Sequence, residues 1–165
     1  MQRTLRMPKV LLYTDNDFFA GCENMIATLM NDAHVRDQFN AVLYYRKSTL
    51  YEEVLADRLD TLISCKGLPL IALHRSKLPL TIRHNIFARV TLRLSSIFLM
   101  PVTYTFNALL LAAHFWASGK DTIIINNGGY PGAQGCRQAA VAARLVGFRK
   151  IIMVVNNTTQ PPRGF

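Results

Sequence analysis

Beyond Asp60 the chain is almost without acid. Of its ten Asp and Glu residues only Asp121 lies past that point, against twelve Lys or Arg over residues 61–165. The formal net charge is +9. So basic a chain attracts polyanions, an anionic membrane or phosphorylated small molecules, unless an acidic region outside it restores the balance. The same shortage leaves the second half without a carboxylate pair of the kind glycosidases use. Cysteine is sparse too. Cys22, Cys65 and Cys136 show neither metal nor redox spacing, so no metal is expected. With no signal peptide in view, reduced thiols and a cytoplasmic protein are the simplest expectation. Basic residues interleaved with a platform of aromatics are missing, which argues against nucleic acid as a partner. There is no GxGxxG, no GxxxxGK[ST] and no GxSxG. His34, His74, His84 and His114 are dispersed and read as ordinary surface or packed histidines. There is no internal repeat or low-complexity tract.

What is present is a rhythm. At 165 residues the chain is about one domain, and it is long enough to bury roughly 70% of its unfolded surface. Apolar strands are expected at 9–13, 40–44, 68–73, 122–125 and 150–155. Helices are expected at about 22–32, at 49–63 and after the loop at 126–135. Ser48 is a natural N-cap for the helix at 49–63, with Glu52 near the capping-box position. Its apolar face is assigned to Leu50, Val54, Leu55, Leu59, Leu62 and Ile63. Ala139, Ala140, Ala142, Ala143 and Leu145 favour the last helix, and Gly147 sits where it would end. Strands alternating with helices predict an α/β fold: one Rossmann-like open parallel sheet with helices on both faces, spanning about residues 8–157.

Residues 79–118 break the rhythm. Ile82, Ile86, Val90 and Leu94 recur every fourth position, with Arg83, His84, Arg89 and Arg93 as the polar complement. That is a basic amphipathic pattern of the kind found at membrane surfaces. From Leu94 to Gly119 there is no charge at all. Length alone would permit a membrane span, but Pro101, Asn107 and His114 interrupt the run. Two helices joined near Pro101 are expected. Core-facing helices of a soluble domain, peripheral membrane contact through Arg83, Arg89 and Arg93, and a true span stay open in that order.

Two loops carry glycine at the ends of strands. In Phe18–Met25, FFAGCENM, Gly21 opens the first helix, where backbone N–H groups form an anion site. Glu23 and Asn24 either face the cleft or simply suit the helix dipole. The second loop, NNGGYPGAQG, carries Gly128, Gly129, Gly132 and Gly135 at the carboxyl end of a buried strand, where parallel sheets bind ligands. Tyr130 is placed to stack on a sugar or to pack. Cys136, near a helix start, is either a stabilised thiolate or a small buried residue.

These motifs together resemble the N-terminal domain of a family 4 (group 1) glycosyltransferase of the GT-B fold. FAGCENM is similar to the family's "GG-A-E-x" start. DTIIINNGGYPGA followed by CRQAAVAARLVGFRKIIMVVNN is similar to a subgroup with an "NNGGYPGA" loop. The resemblance covers about residues 8–157. It implies a metal-independent, retaining hexosyltransferase that moves a sugar from a nucleotide-sugar to a glycan or lipid-linked acceptor. It also implies peripheral attachment to the inner face of the membrane. Gly21 and Cys22 would meet the donor phosphate. Glu23, Asn24, Asn126, Asn127, Gly128, Gly129, Tyr130, Asn156 and Asn157 would line the acceptor cleft. Asn156-Asn157 falls where the wider family often has a histidine near the reacting sugar. The family's second domain, with its E-x7-E motif, is not in this sequence, so the chain alone is expected not to turn over. Two other readings remain: a short-chain-dehydrogenase-like nucleotide binder, and a basic membrane-surface module.

Overall fold

The computed structural model describes residues 7–16, 19, 21–71, 86–127 and 134–155, with 86–97 as backbone alone. Among these, β1 (Lys9–Thr14), α1 (Gly21–Asn31), α2 (Ala33–Gln38), β2 (Asn40–Arg46), α3 (Thr49–Arg58) and β3 (Cys65–Leu68) come first. A long helix, α4 (Ile86–Ser118), leads to β4 (Thr122–Asn127), α5 (Gln134–Leu145) and β5 (Lys150–Val155). The five strands form one parallel sheet in the order β3-β2-β1-β4-β5. The expected α/β, Rossmann-like fold is what the chain adopts.

Alternation along the central strands explains why helices cover both faces. Leu11, Tyr13, Val42, Tyr44, Ile123 and Ile125 face α4 and α5, where Leu111, Phe115, Cys136, Ala139, Ala142 and Ala143 meet them. Val10, Leu12, Leu43 and Tyr45 face the other way, onto Ile26 and Met30 of α1 and Tyr51 and Leu55 of α3. Strands buried on both sides carry near-continuous apolar runs. Alanines on α5 let that helix approach the sheet closely. Its end is a left-handed turn at Gly147, φ +80°. There Phe148 N donates to Ala143 O at 3.0 Å and Gly147 N to Arg144 O at 3.2 Å, the paired bonds of a Schellman motif.

Four expectations about elements are corrected. β3 is Cys65–Leu68, so residues 69–71 of the expected strand 68–73 are not strand, and 72–73 lie outside the described residues; its partner β2 ends where Arg46 pairs with Leu68. The helix capped by Ser48, whose Oγ accepts from Tyr51 N at 3.2 Å, stops at Arg58 rather than 63. Asn31 ends it: its Nδ2 donates to Arg58 O at 2.8 Å and its Oδ1 accepts from Asp60 N at 3.0 Å. That helix buries Tyr51 and Leu55, while Leu50 and Leu62 are exposed. Tyr51 stacks on Tyr45 with ring centroids 5.1 Å apart, which turns the helix away from the face inferred from its leucines. Asp32 does not end α1. Its Oδ1 accepts from Val35 N at 3.0 Å and starts α2, a helix the sequence pattern did not announce.

The fourth correction is α4, which is one helix with Pro101 inside it, not two joined there. An interior proline removes one backbone bond and costs about 3 kcal/mol. Beside it the Thr103 hydroxyl lies 2.9 Å from Leu99 O and 3.1 Å from Met100 O, adding donor capacity where the helix is weakest. Farther on, Asn107 fastens α4 to the chain after β3. Its Nδ2 donates to Ile71 O at 2.8 Å, and its Oδ1 accepts from Ile71 N at 3.0 Å. Ala108, Leu111 and Phe115 face inward, whereas Phe98, Val102, Phe106, Leu109 and Trp116 are exposed.

Candidate functional site

In an open parallel sheet, a ligand crevice opens where neighbouring strands send their crossovers to opposite faces. Here those strands are β1 and β4, with Thr14 in register with Asn126. Their carboxyl ends are crossed by the first turns of α1 and α5. Three buried charges collect there: Asp15, Glu23 and Arg46.

On the α5 side, Asp15 Oδ2 accepts a hydrogen bond from Gly135 N at 2.8 Å. Arg46 Nε lies 3.6 Å from Asp15 Oδ1. A Cβ on residue 135 would overlap the Asp15 carboxyl group, so only glycine fits this contact. Tyr13 is fully buried beside this pair, and its hydroxyl has no hydrogen-bond partner among the described residues. Burial, reinforced by the Asp15 charge, raises the Tyr13 phenol well above its ordinary pKa. Cys136 is fully buried, 3.4 Å from Asn126 O. Burial and the Asp15 charge push its thiol far up. Of the two readings of Cys136, the small buried residue is the one realised; a nucleophilic thiolate is not.

On the α1 side, Glu23 is 1% exposed. Its Oε1 accepts from Thr14 Oγ1 at 3.2 Å and from Asn16 Nδ2. This carboxylate therefore ties α1 to the end of β1 in addition to suiting the helix dipole. Asn126 is also buried, and its Nδ2 donates to Cys22 O at 3.2 Å, joining the end of β4 to the first turn of α1. Gly21 and Asn24 are exposed. A Cβ on Gly21 would meet nothing within 4 Å among the described residues, so none of them requires glycine there by close packing.

The structure thus gathers Gly21, Cys22, Glu23, Asn24, Asn126 and Asn127 at one crevice. Gly128, Gly129, Tyr130, Asn156, Asn157 and Arg83 lie outside the described residues, and Arg89 and Arg93 are placed only as backbone of α4. Asp15 and Arg46 were not singled out from sequence. A signal existed: each is the first charge met on leaving an apolar strand, and the neighbouring pair Thr14 and Tyr45 are in register. Among the described residues no group of three or more His, Cys, Asp or Glu could hold a metal ion. The buried carboxylates, thiol and phenol are engaged in or sealed by packing. What the crevice offers is fixed backbone and amide dipoles, suited to binding and orientation.

No protein-family model matches the chain, and no curated protein matches it. Among solved structures, the C-terminal domain of a hydrogenase from Pyrococcus furiosus is similar with a TM-score of 0.45 and 11% identity, over 90% of this chain and 94% of that one. So loose a likeness carries no argument about function.

Proposed function

We propose that the chain is the acceptor-binding, N-terminal domain of a retaining glycosyltransferase of the GT-B kind. The observation that supports this best is the crevice between β1 and β4. It sets the FAGCENM turn and the start of the NNGGYPGA loop side by side, with Asn126 bonded to Cys22 O at 3.2 Å. These are the two motifs on which the family resemblance rests, and they are 104 residues apart in the chain. In this reading the exposed first turn of α1, at Gly21 and Cys22, meets the donor's phosphate. Asn127 and the loop after it meet the acceptor, and a second, nucleotide-sugar-binding domain supplies the rest of the donor site.

The test is a titration of the isotope-labelled chain with neutral oligosaccharides and with a lipid-linked sugar, following the amides of Gly21, Asn126 and Asn127. Saturable shifts at those positions support the acceptor reading. Shifts with NAD(P) and none with glycans would replace it with a dehydrogenase-like nucleotide binder.

A further observation favours action at a membrane. Phe98, Val102, Phe106, Leu109 and Trp116 lie on the outward side of α4 at intervals of three, four and seven positions, one face of a helix. The segment Phe98–Ser118 is long and apolar enough to cross a bilayer. The inward contacts of Asn107, Leu111 and Phe115 instead lay it along the sheet. An exposed apolar stripe on a helix that begins among basic residues fits an anionic membrane surface. Flotation with anionic vesicles at low salt checks this, and failure to float removes it.

A further inference from the structure

A helix N-terminus carries roughly half a positive charge and several unpaired N–H groups, and it commonly receives a phosphate. The N-terminus of α5 faces the crevice, yet its anion position is already filled from within the chain. Gly135 N donates to Asp15 Oδ2 at 2.8 Å. Arg46, a cation, sits 3.6 Å from its other oxygen. Asp15 and Arg46 are both buried, and the absence of a side chain at residue 135 is what lets the carboxylate come so close. Neighbouring Tyr13 and Cys136 are sealed from solvent, so a second anion brought here would meet the Asp15 charge with little water to screen it.

We propose that Asp15 is a specificity-determining residue that closes the α5 N-terminus to anions. A ligand in the crevice is then uncharged where it meets α5, as the hydroxyl-bearing face of a sugar is. The inference rests on the acceptor reading above and narrows it: the acceptor's neutral sugar, and not its phosphate, lies against this helix. Such a device has a purpose in a chain of net charge +9, which draws phosphates from all sides. An unfilled helix terminus in the acceptor crevice would hold inorganic phosphate in competition with the acceptor.

The experiment is a titration with inorganic phosphate at constant ionic strength, using chloride as the control and following the amide of Gly135 in the labelled full chain. Wild type is expected to show no saturable shift. Asp15→Asn keeps the shape but removes the negative charge that Arg46 and the helix end now meet. It should bind phosphate at least about tenfold more tightly than wild type, and Asp15→Asn with Arg46→Gln should lose that gain. A saturable phosphate shift at Gly135 in wild type overturns the proposal, as does a folded Asp15→Asn variant that ignores phosphate. The wild-type arm stands even if the variant does not fold. Because the readout needs no sugar, a chain that fails the glycan titration sinks the acceptor reading without touching this result.

Discussion

Phe115 and Trp116 are neighbours in the chain and opposites in environment: Phe115 is 1% exposed and Trp116 78%. Phe115 meets Tyr13 edge-on, with ring centroids 5.8 Å apart, and Phe148 at 5.9 Å. Phe115→Ala should cost about 3–5 kcal/mol, as large core truncations do. Trp116→Ser should change stability by no more than about 0.5 kcal/mol and weaken flotation with vesicles. Urea denaturation and flotation of both variants check the pair. If Trp116→Ser destabilises like Phe115→Ala, α4 is covered by protein and not by lipid.

Gly135 and Gly21 both open helices at the crevice, but the space around them differs. Gly135→Ala forces a methyl into the Asp15 carboxyl and should cost about 1–3 kcal/mol, as overpacking does. Gly21→Ala has open space and should be neutral or stabilising by up to about 1 kcal/mol. Chemical denaturation of the two variants gives the contrast directly.

Asn107 is the polar exception on the inner side of α4 among the described side chains. Asn107→Leu leaves Ile71 N–H and C=O without the partner each now has at 3.0 and 2.8 Å. Loss of a fully buried hydrogen-bond partner costs about 1–3 kcal/mol; these bonds are part-buried, so a net loss of about 1 kcal/mol is expected here. Hydrogen exchange at the Ile71 amide should quicken well beyond the global change. Uniform quickening would mean that the clamp holds no local structure.

How much of this was legible beforehand follows from what sets each feature. β1 and β4 announced themselves because a buried parallel strand must be apolar along its length; β5 showed the same apolar run, although as an edge strand it buries none of its residues fully. β3 did not. Cys65, Lys66 and Gly67 carry no apolar pattern, and pairing with β2 alone makes them a strand. The cap at Ser48 and the stop at Gly147 were readable because both act within a few residues. The bond from Gly135 to Asp15 spans 120 residues, and no local pattern records it. Pro101 misled because a propensity argument takes no account of the tertiary contacts that carry a helix past a weak point.

High pH should unfold the protein through its tyrosines. Burial raises the phenols of Tyr13, Tyr44, Tyr45 and Tyr51. For Tyr45, burial together with the charge of Glu52 brings the value to about 12 from an ordinary 10.0. A folded pKa above the unfolded one means a contribution fully present below pH 10 and lost as pH rises toward and through the folded value. Absorbance of phenolate should therefore lag behind that of free tyrosine between about pH 10 and 12, and it should rise together with loss of circular dichroism. Four phenols ionising near pH 10 in a folded protein would contradict the burial described for them.

The sheet has one seam that its own sequence cannot close early. β1 and β2 are joined through α1 and α2, and β4 and β5 through α5, but β1 meets β4 only after more than a hundred residues of chain have been made. Pairings of such long range are slow to form. The crevice lies on that seam, so it belongs to neither half and comes into being only when the two halves dock. The proposed site at Asn126 and Cys22 is thus assembled late in the life of the folding chain, and a ligand that bound there would report that folding has finished.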